Sequence, residues 1–86
     1  MNHAFAIRGV LEKEGFRRIK LELVRTGDYD FAMFVNGKNE GVFWTALTPP
    51  QAGPMRHQPL DLNDAFARCV AKNYPDYTVS NLEEGS

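Results

Sequence analysis

The chain is poor in the residues that most often carry catalysis or covalent cross-links. Its 86 residues include one cysteine, Cys69, and two histidines. One cysteine cannot form an intrachain disulfide, so the sequence predicts a reducing, cytoplasmic setting. Basic and acidic residues number 10 and 11, for a net charge of −1. No strong overall charge therefore favours nucleic acid or an anionic membrane as the partner.

Motifs typical of enzymes are also missing. The sequence contains no Cys-x-x-Cys, His-Glu-x-x-His, Gly-x-Ser-x-Gly or glycine-rich phosphate loop. Histidine and cysteine are too few for a structural zinc site. Cys69 falls on the apolar stripe of a predicted helix, where a cysteine is usually a small core residue rather than a nucleophile. We therefore expect no enzymatic activity, no cofactor and no bound metal.

Long hydrophobic runs are absent as well. Residues 1–15, MNHAFAIRGVLEKEG, have Arg8 within their apolar stretch and lack a basic leader, so they predict neither a signal peptide nor a membrane span. A chain of this length has material for one hydrophobic core. We expect a single α+β domain over residues 1–82, followed by a polar tail over 83–86.

Periodicity and turn residues predict two helices and four strands. Residues 2–14 are consistent with a helix, and Gly15 suits the left-handed position just after a helix end. The segment HAFAIRGV is also consistent with a strand, and this alternative stays open. Asp61 is the predicted N-cap of the second helix. The predicted elements in chain order are a helix over 2–14, strands over 17–25, 29–35 and 41–47, a helix over 61–73, and a short strand over 77–80.

The expected fold is therefore α+β: a helix, a three-stranded antiparallel meander, a second helix and a short fourth strand. Antiparallel sheets of this kind collect their helices on one face, which leaves the other face open. The connection over 48–59 contains four of the five prolines, so it is neither a helix nor a central strand. Whether this connection is ordered stays open.

The element order, with LEKEGF (11–16) closing the first helix, resembles the layout of double-stranded-RNA-binding domains and of HicA-type mRNA interferases. The correspondence covers the topology and that hexapeptide. The Gly-Ser-His segment that the interferases carry on their strands is absent, and the turns here read TGD (26–28) and NGKN (36–39). The resemblance therefore implies an architecture and no functional residue.

Alternation along the first two strands predicts which residues lie on each side of the sheet. Ile19, Leu21 and Leu23 alternate with charged residues and are expected to face the helices. A hairpin that pairs Leu23 with Phe31 puts Phe31, Met33 and Val35 in the core and leaves Phe34 on the open face. The other register would bury Asp30, which is costly without a partner.

The second hairpin leaves an alternative. A two-residue turn at Asn36-Gly37, or a four-residue NGKN loop, puts Trp44 in the core and Phe43 on the open face. A three-residue loop reverses the two, because a one-residue slip moves every side chain to the other face. Asn-Gly favours the two-residue turn. In either case one large aromatic residue joins Phe34 on the open face.

These expectations predict a small non-catalytic protein that acts by stoichiometric association with another protein, and a second copy of the chain is one candidate partner. In size and class it resembles accessory or inhibitory proteins of phages and mobile elements, including anti-CRISPR proteins. The alternative function is RNA or single-stranded DNA binding on Arg18, Lys20 and Phe34. A further alternative is that the loop or the tail covers Phe34. The candidate interaction face consists of Arg18, Lys20, Glu22, Phe34, Phe43, Trp44 and, in the loop, Arg56.

Overall fold

The described part of the chain forms one antiparallel sheet with a helix on one face. The computed structural model describes residues 5–15, 18–27, 30–44 and 60–85. The elements in chain order are β1 (Ala6–Glu12), β2 (Ile19–Arg25), β3 (Asp30–Val35), β4 (Lys38–Trp44), α1 (Leu62–Asn73) and β5 (Thr78–Gly85). The five strands lie in the order β4-β3-β2-β1-β5, and every neighbouring pair is antiparallel. The expected fold with two helices on a three-stranded meander is therefore wrong.

The predicted N-terminal helix is β1, a strand that pairs with β2 on one side and β5 on the other. Ile7 and Leu11 are fully buried on the side of the sheet that faces α1. A spacing of four residues suits one face of a helix and also one face of a strand, which explains the error. Gly15 has a φ of +80°, as predicted, but it lies in a turn after a strand.

The resemblance built on LEKEGF fails for the same reason. Leu11 and Glu12 are the last residues of β1, and the turn at Glu14 and Gly15 follows them. Phe16 lies outside the described residues. The segment does not close a helix, so the layout of double-stranded-RNA-binding domains and of HicA-type interferases does not apply to this chain.

The second predicted helix is confirmed as α1. The Asp61 side chain accepts hydrogen bonds from the backbone N–H groups of Asn63 and Asp64, at 3.1 and 3.4 Å, and so caps the first turn. The apolar stripe of α1 faces the sheet; its buried residues are Leu62, Ala65, Phe66, Cys69 and Val70. Among the described residues, no helix has the length and apolar character needed to cross a membrane.

Gly9 allows α1 to approach β1 closely. A Cβ atom at this position would lie 2.9 Å from Cζ of Phe66 and 3.2 Å from Cδ1 of Leu82. Real Cβ atoms do not come so close to a neighbouring heavy atom, so only glycine leaves room for the Phe66 ring over the strand. The glycine that would weaken a helix is therefore a packing requirement of this strand.

Arg25 ties the start of α1 to the sheet. Its guanidinium donates to the carbonyl oxygens of Gly27 and of Leu60, the residue before the helix cap. The same group lies 5.0 Å from the centre of the Phe31 ring. Arg25 therefore holds the N-terminal end of α1 beside the first residues of β3.

The pairing of β2 with β3 differs from the predicted register by two residues. Leu23 is opposite Met33, and Leu21 is opposite Val35. A shift of two residues leaves every side chain on its original face. Phe31, Met33 and Val35 therefore lie on the core side as predicted, and Phe34 lies on the other side.

The last strand is longer than predicted. β5 spans Thr78–Gly85, and the described part of the expected tail, 83–85, lies within it. Asn81 has a φ of +52°, and the register of β5 against β1 shifts between Arg8 and Val10. β5 is an edge strand and most of its residues are exposed, which is why its sequence, TVSNLEEG, resembles a polar tail; the bulge also interrupts its alternation.

Candidate interaction face

A β-bulge decides which side chains of β4 reach the open face. The hairpin turn is the predicted two-residue Asn36-Gly37, with φ values of +54° and +84°. Phe34 pairs with Asn39, but Ala32 pairs with Val42, so β4 has one extra residue in between. Gly41 lies at the bulge with a φ of +111°, and its N–H donates to Oδ1 of Asn39 at 2.7 Å.

Because of the extra residue, each side chain of β4 after the bulge points to the face opposite to the one predicted. Phe43 is 6% exposed and packs in the core opposite Phe31. Trp44 is 61% exposed and Val42 is 70% exposed, both on the open face. The assignment favoured by the turn, with Trp44 inside and Phe43 outside, is therefore wrong. The turn was predicted correctly, and the error comes from the bulge four residues later.

An apolar patch covers one part of the open face. Val42, Ala32, Val24 and Ala6 form a row across four strands through the pairs Ala32–Val42, Val24–Ala32 and Ala6–Val24. Phe34 and Trp44 lie on either side of this row. We define the apolar patch as Ala6, Val24, Ala32, Phe34, Val42 and Trp44. Trp44 and Val42 are its most exposed members.

Charged residues occupy the rest of the open face. Arg8 lies between two carboxylates, at 3.4 Å from Glu22 and 3.3 Å from Glu83. Arg18 pairs with Glu12 at 2.7 Å. Each exposed pair contributes about 0–1 kcal/mol to stability, so their main effect is to neutralise the two arginines locally. Within the described ranges, Lys20 and Asp30 form no ion pair.

A depression of about 240 Å³ lies on the open face, where β5 has one extra residue against β1. Its lining consists of Arg8, Gly9, Val10, Lys20, Asn81 and Glu83. These residues include no serine, cysteine or histidine, so the depression offers no usual nucleophile with a histidine base. Across the described part of the chain, no three His, Cys, Asp or Glu side chains come together as metal ligands.

Cys69 lies in the core, on the other side of the sheet. Its Sγ atom is 3.5 Å from Sδ of Met33 and 3.6 Å from Nδ2 of Asn73. Burial raises the pKa of the Cys69 thiol, while the Asn73 hydrogen bond and the charge of Lys72 act in the opposite direction. A buried, protonated thiol suits a packing role.

The structure brings together only part of the predicted interaction face. Arg18, Lys20, Glu22 and Phe34 lie on the open face, with Arg18 in an ion pair with Glu12, and Trp44 joins them. Phe43 belongs to the core, and Arg56 lies outside the described residues.

Two of the charged residues on the open face, Arg8 and Glu83, were missed. The predicted elements place Arg8 in a helix and Glu83 in the tail. The one available clue was the alternation of Ile7, Gly9 and Leu11 with Arg8 and Val10.

Comparisons of the chain with protein-family models, with curated proteins and with solved structures found no match. The geometry and chemistry of the open face are therefore the basis for a functional proposal.

Proposed function

We propose that this chain acts by stoichiometric protein–protein association through the open face of its sheet. The observation that carries the proposal is the exposure of Trp44 and Val42 side by side on that face. Tryptophan is enriched among the residues that dominate binding energy at interfaces, where charged groups surround an apolar centre. The apolar patch, with Arg8, Glu22 and Lys20 beside it, has this composition.

The form of the two sheet edges supports binding through the face. β4 and β5 are the edge strands, and each contains a residue with positive φ at a bulge, Gly41 and Asn81. In β4 the Asn39 side chain accepts a hydrogen bond from the N–H of Gly41, so this N–H is not available to another strand. Lys38 adds a positive charge to the same strand. Bulges and lysines on edge strands oppose the addition of a further strand. A partner therefore has better access to the face than to the edges.

Nucleic-acid binding is less well supported as the alternative. Arg8 and Arg18 already contact carboxylates, and Glu22, Asp30 and Glu83 would face the phosphates of a bound strand. Phosphate contacts supply most of the affinity for single strands. On the described part of the open face, Lys20 is the one cation without a carboxylate partner, and its contribution is small. The test is binding of a labelled oligonucleotide at low salt. Retention that falls steeply with added salt would favour nucleic acid over a protein partner.

An accessory or inhibitory role in the cytoplasm, as in small proteins of phages and mobile elements, belongs to the same proposal. Such proteins need a binding surface and no catalytic centre. The free, buried thiol of Cys69 is compatible with a reducing compartment.

The test is a quantitative pull-down from a lysate of the native host. The bait is the wild-type chain, the Trp44→Ser variant, or Arg68→Ser as a matched control on the exposed side of α1. Wild type and Arg68→Ser should capture the same protein in a fixed ratio, and Trp44→Ser should retain about tenfold less. Circular dichroism checks that all three baits are folded. Capture that does not depend on Trp44 would contradict the proposal.

A further inference from the structure

We infer that the open face binds a second copy of this chain, face to face about a two-fold axis. The inference rests on the proposed function, since it names the partner of the same surface. Three properties of the face carry it: the positions of the two charges that have no ion pair among its described residues, the sizes of the side chains between them, and its area.

The unpaired charges lie at opposite ends of the face. Lys20, Glu22 and Val24 follow one another along β2 at steps of two residues and share the open side. Asp30 lies on β3 one step beyond Ala32, which pairs with Val24. Measured along the strand direction, the point between Glu22 and Val24 is therefore midway between Lys20 and Asp30.

A two-fold axis through that midpoint makes the face complementary to itself. The axis lies in the plane of the face, runs across the strands and passes between Glu22 and Val24. Rotation about this axis reverses positions along the strands, so the end of one copy that carries Lys20 lies against the end of the other copy that carries Asp30. Because β2 and β3 are neighbours, each Lys20 then lies about one strand spacing, 4.8 Å, to the side of Asp30 in the other copy. Two ion pairs form, one at each end of the interface.

The same axis matches large side chains to small ones. Phe34 pairs with Glu22, and Ala32 pairs with Val24, so the axis also passes between Phe34 and Ala32 on β3. Each Phe34 ring is placed over Ala32 of the second copy, where the methyl group leaves room for it. Two sheets that pack in this aligned way lie about 10 Å apart.

The area of the face is sufficient for a reversible dimer. Five strands at about 4.8 Å spacing, each with about 20 Å of length, present roughly 500 Å² per copy. The two copies together bury about 1,000 Å², the lower range for a specific interface. A dimer of this size with two exchanged ion pairs is expected to dissociate on dilution and to weaken with salt.

The experiment measures the mass of the purified full-length chain by light scattering over a dilution series. The wild type should approach twice its chain mass of 9.7 kDa at high concentration. Lys20→Glu and Asp30→Lys should each raise the dissociation constant about tenfold, because each places like charges opposite one another. The double variant Lys20→Glu/Asp30→Lys should recover most of the wild-type affinity. Arg68→Glu, on α1, is the matched control and should dimerise as the wild type does.

The outcomes separate this inference from the proposed function. A wild type that stays monomeric, or a double variant no better than the single ones, overturns the two-fold dimer. If the lysate pull-down still depends on Trp44 in that case, association through the open face stands without the second copy. A chain that neither dimerises nor captures a protein through Trp44 overturns both. If Asp30→Lys does not fold, the test uses Lys20→Glu and Trp44→Ser instead, and each should weaken the dimer. Dimerisation of these two variants as strong as that of the wild type would contradict the inference.

Discussion

Phe31 and Phe43 lie opposite each other on the core side of β3 and β4, although Phe43 is followed at once by the exposed Trp44. The two neighbouring aromatic residues of β4 therefore differ in role. One completes the hydrophobic core beneath α1, and the other is a main component of the apolar patch on the open face.

Truncation of these two residues should have very different effects on stability. Phe43→Ala removes a buried ring and leaves a cavity, so we expect a loss of about 3–5 kcal/mol in the free energy of unfolding. Trp44→Ala changes an exposed side chain and should cost about 0.5 kcal/mol or less. Urea denaturation followed by circular dichroism measures both. Similar losses for the two variants would show that the assignment of faces is wrong.

The bulge at Gly41 should tolerate no side chain without strain. An ideal Cβ at this position meets no atom within 4 Å, so the cost of Gly41→Ala comes from its φ of +111° alone. We expect a loss of about 1–3 kcal/mol. The neighbouring variant Glu40→Ala, at an exposed position in the same strand, is the control and should change stability by about 0.5 kcal/mol or less. A neutral Gly41→Ala would contradict the bulge.

Gly9→Ala tests the close contact between α1 and β1. The new methyl group would overlap the Phe66 ring, and we expect a loss of about 1–3 kcal/mol from overpacking. Phe66→Leu shortens the ring that is in the way, so the double variant should lose less than the sum of the two single losses. A double-mutant cycle by chemical denaturation measures this coupling. Strictly additive losses would mean that the two positions do not interact.

The sequence was sufficient to predict α1 and the side of β3 that faces it. Asp61 is a strong helix cap, Pro75 follows the helix, and these local features do not depend on the rest of the fold. Phe34 was placed correctly on the open face because an error of two residues in register does not change the side of a strand.

The rest of the sheet could not be predicted, because the deciding interactions are not local. Ile7 and Leu11 have a spacing that suits a helix as well as a strand, and the partners of β1 come from β2 and β5. Gly41 looked like the start of a strand, and its positive φ appears only when β4 pairs with β3. The one extra residue in β4 then places Phe43 in the core and Trp44 on the open face, the reverse of the prediction. The candidate face changed in the same step, since it gained Val42 and lost Phe43.

Stability should fall with rising pH through the titration of Cys69. Its pKa is raised above the ordinary value of 9.0 by burial, so the thiol ionises in the unfolded chain before it does so in the folded one. The contribution is fully present below the unfolded pKa and is lost as the pH rises through the folded pKa. Cys69→Ala should therefore flatten the decline in unfolding free energy measured from about pH 8 to 10.

Tyr74 also has a raised pKa, because of burial first and then because of the charge of Cys69, and it adds to the same decline. The comparison between wild type and Cys69→Ala therefore measures the thiol together with its effect on Tyr74, and both make the decline steeper in the wild type. Parallel pH profiles for the two proteins would contradict a raised thiol pKa.

The ladder between β1 and β5 sets the order in which the molecule can assemble. It joins Glu12 to Thr78, 66 positions later in the chain, whereas the hairpins β1–β2 and β3–β4 join near neighbours. Closing so long a loop costs more entropy, so we expect β5 to gain protection last in pulsed hydrogen exchange during refolding. Protection of β5 together with β2 would contradict this order.

Before β5 docks, β1 is itself an edge strand, and its pairing with β2 is regular from Ala6 to Leu11, with no bulge. In that interval it presents unpaired backbone groups beside Ile7 and Leu11. An apolar edge strand that has no bulge and no covering strand promotes aggregation. The yield of refolded protein should therefore fall as the chain concentration rises, and newly made chains are most vulnerable before residues 78–85 have been synthesised.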